Sequence, residues 1–204
     1  MKQKKYTVTV IVIDDHDPDN DGLLETLLTS LNQAALQRRT DIAVKLVVAR
    51  RGLCDPFTIY EVLAETCLAN ARSEPVIGLA IDCYDQTTHK PEEGLLLART
   101  LGNSSHCPKD PTLLEKVFAL LKNQWQTSFG QGSKLTPPSM GEFVDKGYRL
   151  LKGVPIAFYS TTYRDDLTKF YPNSQLFIRE GRTGFKHANE ILNFIVPPQR
   201  KATS

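Results

Sequence analysis

Four stretches of the chain run apolar and then stop on side chains that can do chemistry. Residues 7–13 (TVTVIVI) stop on Asp14 and Asp15, with Asp17 two positions further on. Residues 75–81 (PVIGLAI) stop on Asp82, 154–159 (VPIAFY) on Ser160, Thr161 and Thr162, and 175–178 (QLFI) on Arg179. Adjacent carboxylates repel unless a cation or a shared proton relieves them, and carboxylate oxygens are the ligands that hard divalent metals take. The acidic pair is therefore a candidate metal site. The same residues also fit a solvated turn in which an Asp caps the following helix, since Asp is a favoured N-cap.

The elements that would position these residues can be read from the pattern. Each stretch is short, nearly continuously apolar and bounded by turn formers, as is residues 42–49 (IAVKLVVA), which ends at Arg50, Arg51 and Gly52. Residues 7–13 carry the signature of a strand buried on both faces in a parallel sheet, and the other stretches read as its further strands. Between them, residues 22–37 put Leu23, Leu24, Leu27, Leu28, Leu31, Ala34 and Ala35 on one helical stripe. Asp55-Pro56 and Asp110-Pro111 each pair an N-cap with proline at the first helical position. The first of these helices is predicted to reach about Ala71, and the second to carry Leu113, Leu114, Val117, Phe118, Leu120 and Leu121 on one face, with Trp125 near its end. Further helices are predicted over 140–152 and 185–195, the latter stopped by Pro197 and Pro198, with a short helix or turn over 165–171. Residues 127–138, rich in Ser, Gly, Thr and Pro, are predicted to be irregular.

Five strands alternating with helices imply a doubly wound α/β domain with a parallel sheet and right-handed crossovers. The order usual for this count is 2-1-3-4-5, in which the first and third strands are neighbours at the switch point. That order would bring Asp14, Asp15 and Asp82 together, with Ser160 and Arg179 ending the flanking strands on the same edge.

Composition narrows the function classes. The 204 residues carry 25 Lys and Arg against 23 Asp and Glu, a formal charge of +2, so bulk electrostatic binding to nucleic acid is not expected. No apolar run approaches the ~20 residues of a membrane span, and residues 1–5 lead into a strand without a signal-peptide pattern, so a cytoplasmic protein with no membrane partner is expected. Residues 1–196 read as one domain and 197–204 as a disordered tail. Cys54, Cys67, Cys83 and Cys107 form no Cys-x-x-Cys pair and read as reduced thiols; Cys83, His89, His106 and Cys107 match no standard zinc spacing.

An acidic pair after strand one, one Asp after strand three, a hydroxyl after strand four and a cation after strand five together resemble the receiver domain of two-component response regulators. The segment VIVIDDHD (10–17) is similar to that family's metal-binding acidic pair, and GVPIAFYST (153–161) to its fourth strand, where proline precedes the switch hydroxyl by five positions. The resemblance implies a flavodoxin-like receiver fold, Mg²⁺ held by Asp14, Asp15 and Asp82, Asp82 as phosphoacceptor, and Ser160 as switch hydroxyl. Residues 171–180 align with the loop and fifth strand that end on the family's lysine, but Arg179 stands there and Glu180 replaces the following proline. A guanidinium pairs with phosphoryl oxygens through a planar fork rather than as a point charge.

About fifty residues, 87–137, lie outside the resemblance as a helical insertion after strand three. Residues 94–101 could equally begin the family's third helix, moving the insertion later. The implied partners are a histidine kinase or phosphotransfer protein and a downstream protein target, with a homodimer also open. Two other readings remain: a pseudo-receiver that keeps the fold as an interaction module without phosphotransfer, and a haloacid-dehalogenase-like phosphatase using Asp15-His16-Asp17.

Overall fold

The computed structural model describes residues 7–15, 22–37, 41–84, 89–90, 92–130, 135–160, 173–178 and 184–196. The strands are β1 (Thr7–Asp14), β2 (Asp41–Val48), β3 (Val76–Asp82), β4 (Ile156–Ser160) and β5 (Ser174–Ile178). They form one sheet in the order β2-β1-β3-β4-β5, with every pair parallel. This is the flavodoxin-like doubly wound layout that the alternation of elements predicts.

The burial of β1 shows why its sequence carries so little alternation. Every position from Thr9 to Asp14 is buried. Ile11 and Ile13 face α2 (Pro56–Ala71), while Val10 and Val12 face α1 (Gly22–Gln37) and the last helix. A strand covered on both faces has no solvent side on which to put polar residues. β4 starts at Ile156, two residues later than the apolar run suggests. Pro155, which has no N–H to give the ladder, supplies only its carbonyl to Leu79 N (3.0 Å).

Helix starts follow local chemistry. Asp55 accepts from Phe57 N (2.8 Å) ahead of Pro56, and Asp110 accepts from Leu113 N (3.0 Å) ahead of Pro111. Ser139 and Glu142 form a capping box at the start of α5 (Met140–Leu151).

The crossover from β3 to β4 holds α3 (Glu93–Gly102), a 3-10 turn (Ser104–His106), α4 (Pro111–Phe129) and α5. Residues 94–101 thus lie within a helix, α3, that packs on β3, α2 and α5. α5 packs closely on α2, with Gly147 at the contact: a Cβ there would come within 2.9 Å of the Leu63 side chain. α4 is the outer element of the added helical material, docked on α2 and α5. It buries Val117, Leu121 and Trp125 and stacks Phe118 on Phe143 at 5.9 Å. Residues 127–129, predicted to be irregular, are the last turn of α4. Nothing interrupts the helix before Gly130, whose φ of 78° ends it while its N–H still reaches Gln126 O (2.8 Å).

On the opposite face of the sheet, α6 (Gly184–Ile195) lies beside α1. Among the described residues no helix is long and apolar enough to cross a membrane. All four cysteines are free thiols. The tail 197–204 and the 165–171 helix or turn lie outside the described residues.

Two outcomes follow from this packing. A methyl group at Gly78 of β3 would stand 2.1 Å from Ile195 Cγ2 of α6. Gly78→Ala is expected to lose about 1–3 kcal/mol by overpacking, measured by urea denaturation. Combined with Ile195→Ala it should lose less than the sum of the two single changes, because the second change makes room for the first. In the α4 region, Trp125 Nε1 donates to Leu135 O (2.9 Å) and ties that residue to the helix. Limited proteolysis of Trp125→Phe should cut within residues 130–138 faster than in wild type, while α4 itself stays protected.

Candidate metal centre

Asp14 is the last residue of β1 and Asp82 the last of β3, and Ile13 pairs with Ile81, so the two carboxylates leave neighbouring strands side by side. Strand alternation puts Asp14 on the face of Val10 and Val12, and Asp82 on the face of Ala80, all on the α1 and α6 side. Asp15 follows one step beyond the strand. One oxygen from each of Asp14, Asp15 and Asp82 lies within 4.8 Å of the others. Asp14 is fully buried and Asp82 nearly so.

Charge crowding at this separation is substantial. Two carboxylates about 5 Å apart repel by roughly 1 kcal/mol in bulk water and about 3 kcal/mol at an effective dielectric of ~20. A divalent cation turns each of these repulsions into a shared attraction. The all-carboxylate donor set suits a hard, oxygen-seeking ion, whose ligands at about 2.0–2.6 Å lie up to about 4–5 Å apart, a span this group matches. The cluster could therefore hold a metal ion. Among the described residues it is the only converging set of three or more candidate ligands; Cys83, His89, His106 and Cys107 do not come together.

The surroundings orient the carboxylates. The backbone N–H of Tyr84 donates to Asp82 Oδ1 (3.1 Å), so the turn after β3 holds that side chain. α3 starts directly behind it: Gly94 N donates to Cys83 O (3.3 Å), and a Cβ at Gly94 would stand 2.1 Å from Asp82 O. Only glycine admits so close an approach of helix to strand end. Next to it, Glu93 is buried and pairs with the exposed Lys90 at 3.4 Å, while Cys54 Sγ donates to its carbonyl (3.1 Å).

Tyr159 was not singled out from the sequence. Its hydroxyl donates to Asp14 Oδ2 (2.7 Å) from a fully buried position on β4. A signal was available, because a tyrosine in an otherwise apolar central strand carries a polar tip that needs a partner. Ser160 is buried at the end of β4, one residue past the Asp82–Tyr159 register pair and opposite Ile178. It therefore ends its strand on the same edge as the acidic group. Arg179, along with His16 and Asp17, lies outside the described residues. No family model, no curated protein and no solved structure matches this chain.

A divalent cation should raise the melting temperature of the wild-type protein as it saturates the cluster, because an ion that binds only the folded state adds RT ln(1 + [L]/Kd), about 1.4 kcal/mol at tenfold excess over Kd. Asp15→Ala should remove most of that response. Asp15 is the least buried of the three, so its truncation spares the core. Differential scanning calorimetry with and without the cation checks this, and equal shifts in both proteins would exclude the cluster as the site.

Proposed function

We propose that the chain is a phosphoacceptor receiver of the response-regulator type, in which Asp82 takes a phosphoryl group and the protein signals by contact with other proteins. The observation that carries this reading is the position of Asp82: at the switch point of a 2-1-3-4-5 sheet, with Asp14 and Asp15 within 4.8 Å. A carboxylate with a purely structural role has no need of two more acids around it.

In this reading Asp14, Asp15 and Asp82 hold Mg²⁺, which when bound neutralises charge on the transferring phosphoryl oxygens. Tyr84 N–H holds Asp82 Oδ1, and the other carboxylate oxygen attacks phosphorus in line. The new bond is an acyl phosphate, and the donor's imidazole or acetate leaves with the electron pair of the broken bond. Ser160 and Arg179 would bind the remaining oxygens, Arg179 as a planar fork in place of an ammonium. The added charge draws the Ser160 hydroxyl inward and repacks the surface around β4 and β5, a two-state change biased by the new group. The donor is a histidine kinase or phosphotransfer protein in the cytoplasm, and the output is a protein target, which a second copy of the chain could serve.

A second reading, an interaction module without phosphotransfer, is favoured by Arg179 at the position where the resembled family carries lysine. Mass spectrometry after treatment with acetyl phosphate and Mg²⁺, or with beryllofluoride as a phosphoryl mimic, separates the two. Wild type should gain the group and Asp82→Asn should not. Modification of Arg179→Lys but not of wild type would mark a scaffold that has lost efficient chemistry. If neither protein takes the group or the mimic, the interaction module stands.

A further inference from the structure

The fold asks residue 159 only for a ring. The side chain is 1% exposed and packs among Val10, Val12, Ala80 and Ala157, beside Phe177 and the residues of α1 and α6. A phenylalanine would fill the same volume. What tyrosine adds is one hydroxyl, and that hydroxyl lies 2.7 Å from Asp14 Oδ2 and 3.3 Å from Ile13 O. A single proton cannot serve both well, and the contact to Asp14 is the shorter of the two.

The geometry gives the bond its reach. Tyr159 is on β4, its register partner on β3 is Asp82, and Asp14 is one strand further, on β1. Neighbouring strands are about 4.8 Å apart, so the tyrosine side chain, the hydrogen bond and the Asp14 side chain together span roughly two strand spacings across β3. A serine or threonine at 159 would be too short. The bond ties one oxygen of a fully buried carboxylate to the far side of the switch point, and so limits the orientations open to Asp14 within the group it forms with Asp15 and Asp82.

We propose that Tyr159 is a positioning residue for the cation site: by holding Asp14 Oδ2 it presets Asp14 for the ion that Asp14, Asp15 and Asp82 share. Groups that hydrogen-bond to metal-ligating side chains hold the ligand's orientation, and their loss commonly lowers metal affinity by about 10–100-fold. This inference rests on the acidic group holding a cation, as in the reading above, but not on Asp82 accepting a phosphoryl group.

Calorimetric titration of the full chain with Mg²⁺ alone tests it, on wild type, Tyr159→Phe and Asp15→Ala. Tyr159→Phe should bind Mg²⁺ about tenfold or more weakly than wild type under conditions where both are folded, with a lower urea midpoint for the metal-free protein because the fully buried Asp14 loses this donor. Saturating wild type with Mg²⁺ should also give an ultraviolet difference band from a tyrosine whose hydrogen-bonded carboxylate has taken up an ion, and Tyr159→Phe should lack it. Equal or tighter binding by Tyr159→Phe overturns the positioning role and leaves the metal site intact. Absence of the tyrosine band in saturated wild type overturns it too, a result that does not depend on the variant folding. No Mg²⁺ binding by wild type removes both the positioning role and the metal site. If Mg²⁺ binds and the affinities separate as expected while Asp82 accepts no phosphoryl group, the positioning role holds and phosphotransfer falls.

Discussion

Crowding three carboxylates within 4.8 Å at a buried sheet edge is the constraint on which the rest of this structure turns. Left alone, the repulsion would drive the strand ends apart or protonate one of the acids. The fold fixes two of the three carboxylates, each through a different element. Asp14 is bonded from β4 by Tyr159, and Asp82 from the turn after β3 by Tyr84 N–H. Behind them, the register of β1 on β3 keeps the two strand ends side by side, with β1 buried from Thr9 onward.

Burial on both faces makes that register rigid. One cluster joins the α2 side of the sheet to α3, α4 and α5, and the other joins its opposite side to α1 and α6. A slip by one residue would turn Ile11 and Ile13 towards α1 and expose the acids to the wrong layer, so the apolar packing that holds the sheet also aims the carboxylates. The glycines mark where this packing is tightest. Gly78 lets Ile195 of α6 down onto β3, Gly147 lets α5 down onto Leu63 of α2, and Gly94 lets α3 begin against the backbone of Asp82.

The added helix α4 stands apart from that edge. Its apolar face is spent on α2 and α5, through Val117, Leu121, Trp125 and the Phe118–Phe143 stack. Tyr60 of α2 also donates to Pro108 O in the segment leading into α4. α3, by contrast, borders the acidic group directly. Of the elements in the long crossover, α3 is therefore the one placed to feel a change at Asp82.

Much of the architecture was legible in the amino-acid sequence because it is written locally. The continuous apolar runs of β1, β3 and β4 specify strands covered on both faces, Asp-Pro pairs mark two helix starts, and the alternation of strand and helix restricts the sheet to few topologies. The identities of Asp14, Asp15 and Asp82 as strand-end acids could be read in the same way. Other features depended on contacts between residues far apart in the chain. Residues 127–129 are helical because no residue before Gly130 breaks the ladder, which a local tally of Ser and Thr does not reveal. Likewise α3 joins the sheet-covering layer because Gly94 fits against Asp82 and Cys83, a match between positions that no periodicity announces. Above all, the hydrogen bond from Tyr159 to Asp14 joins residues 145 apart in sequence. Sequence determined which side chains stand at the strand ends; only the tertiary structure, by setting the strand order and register, decided which of them touch.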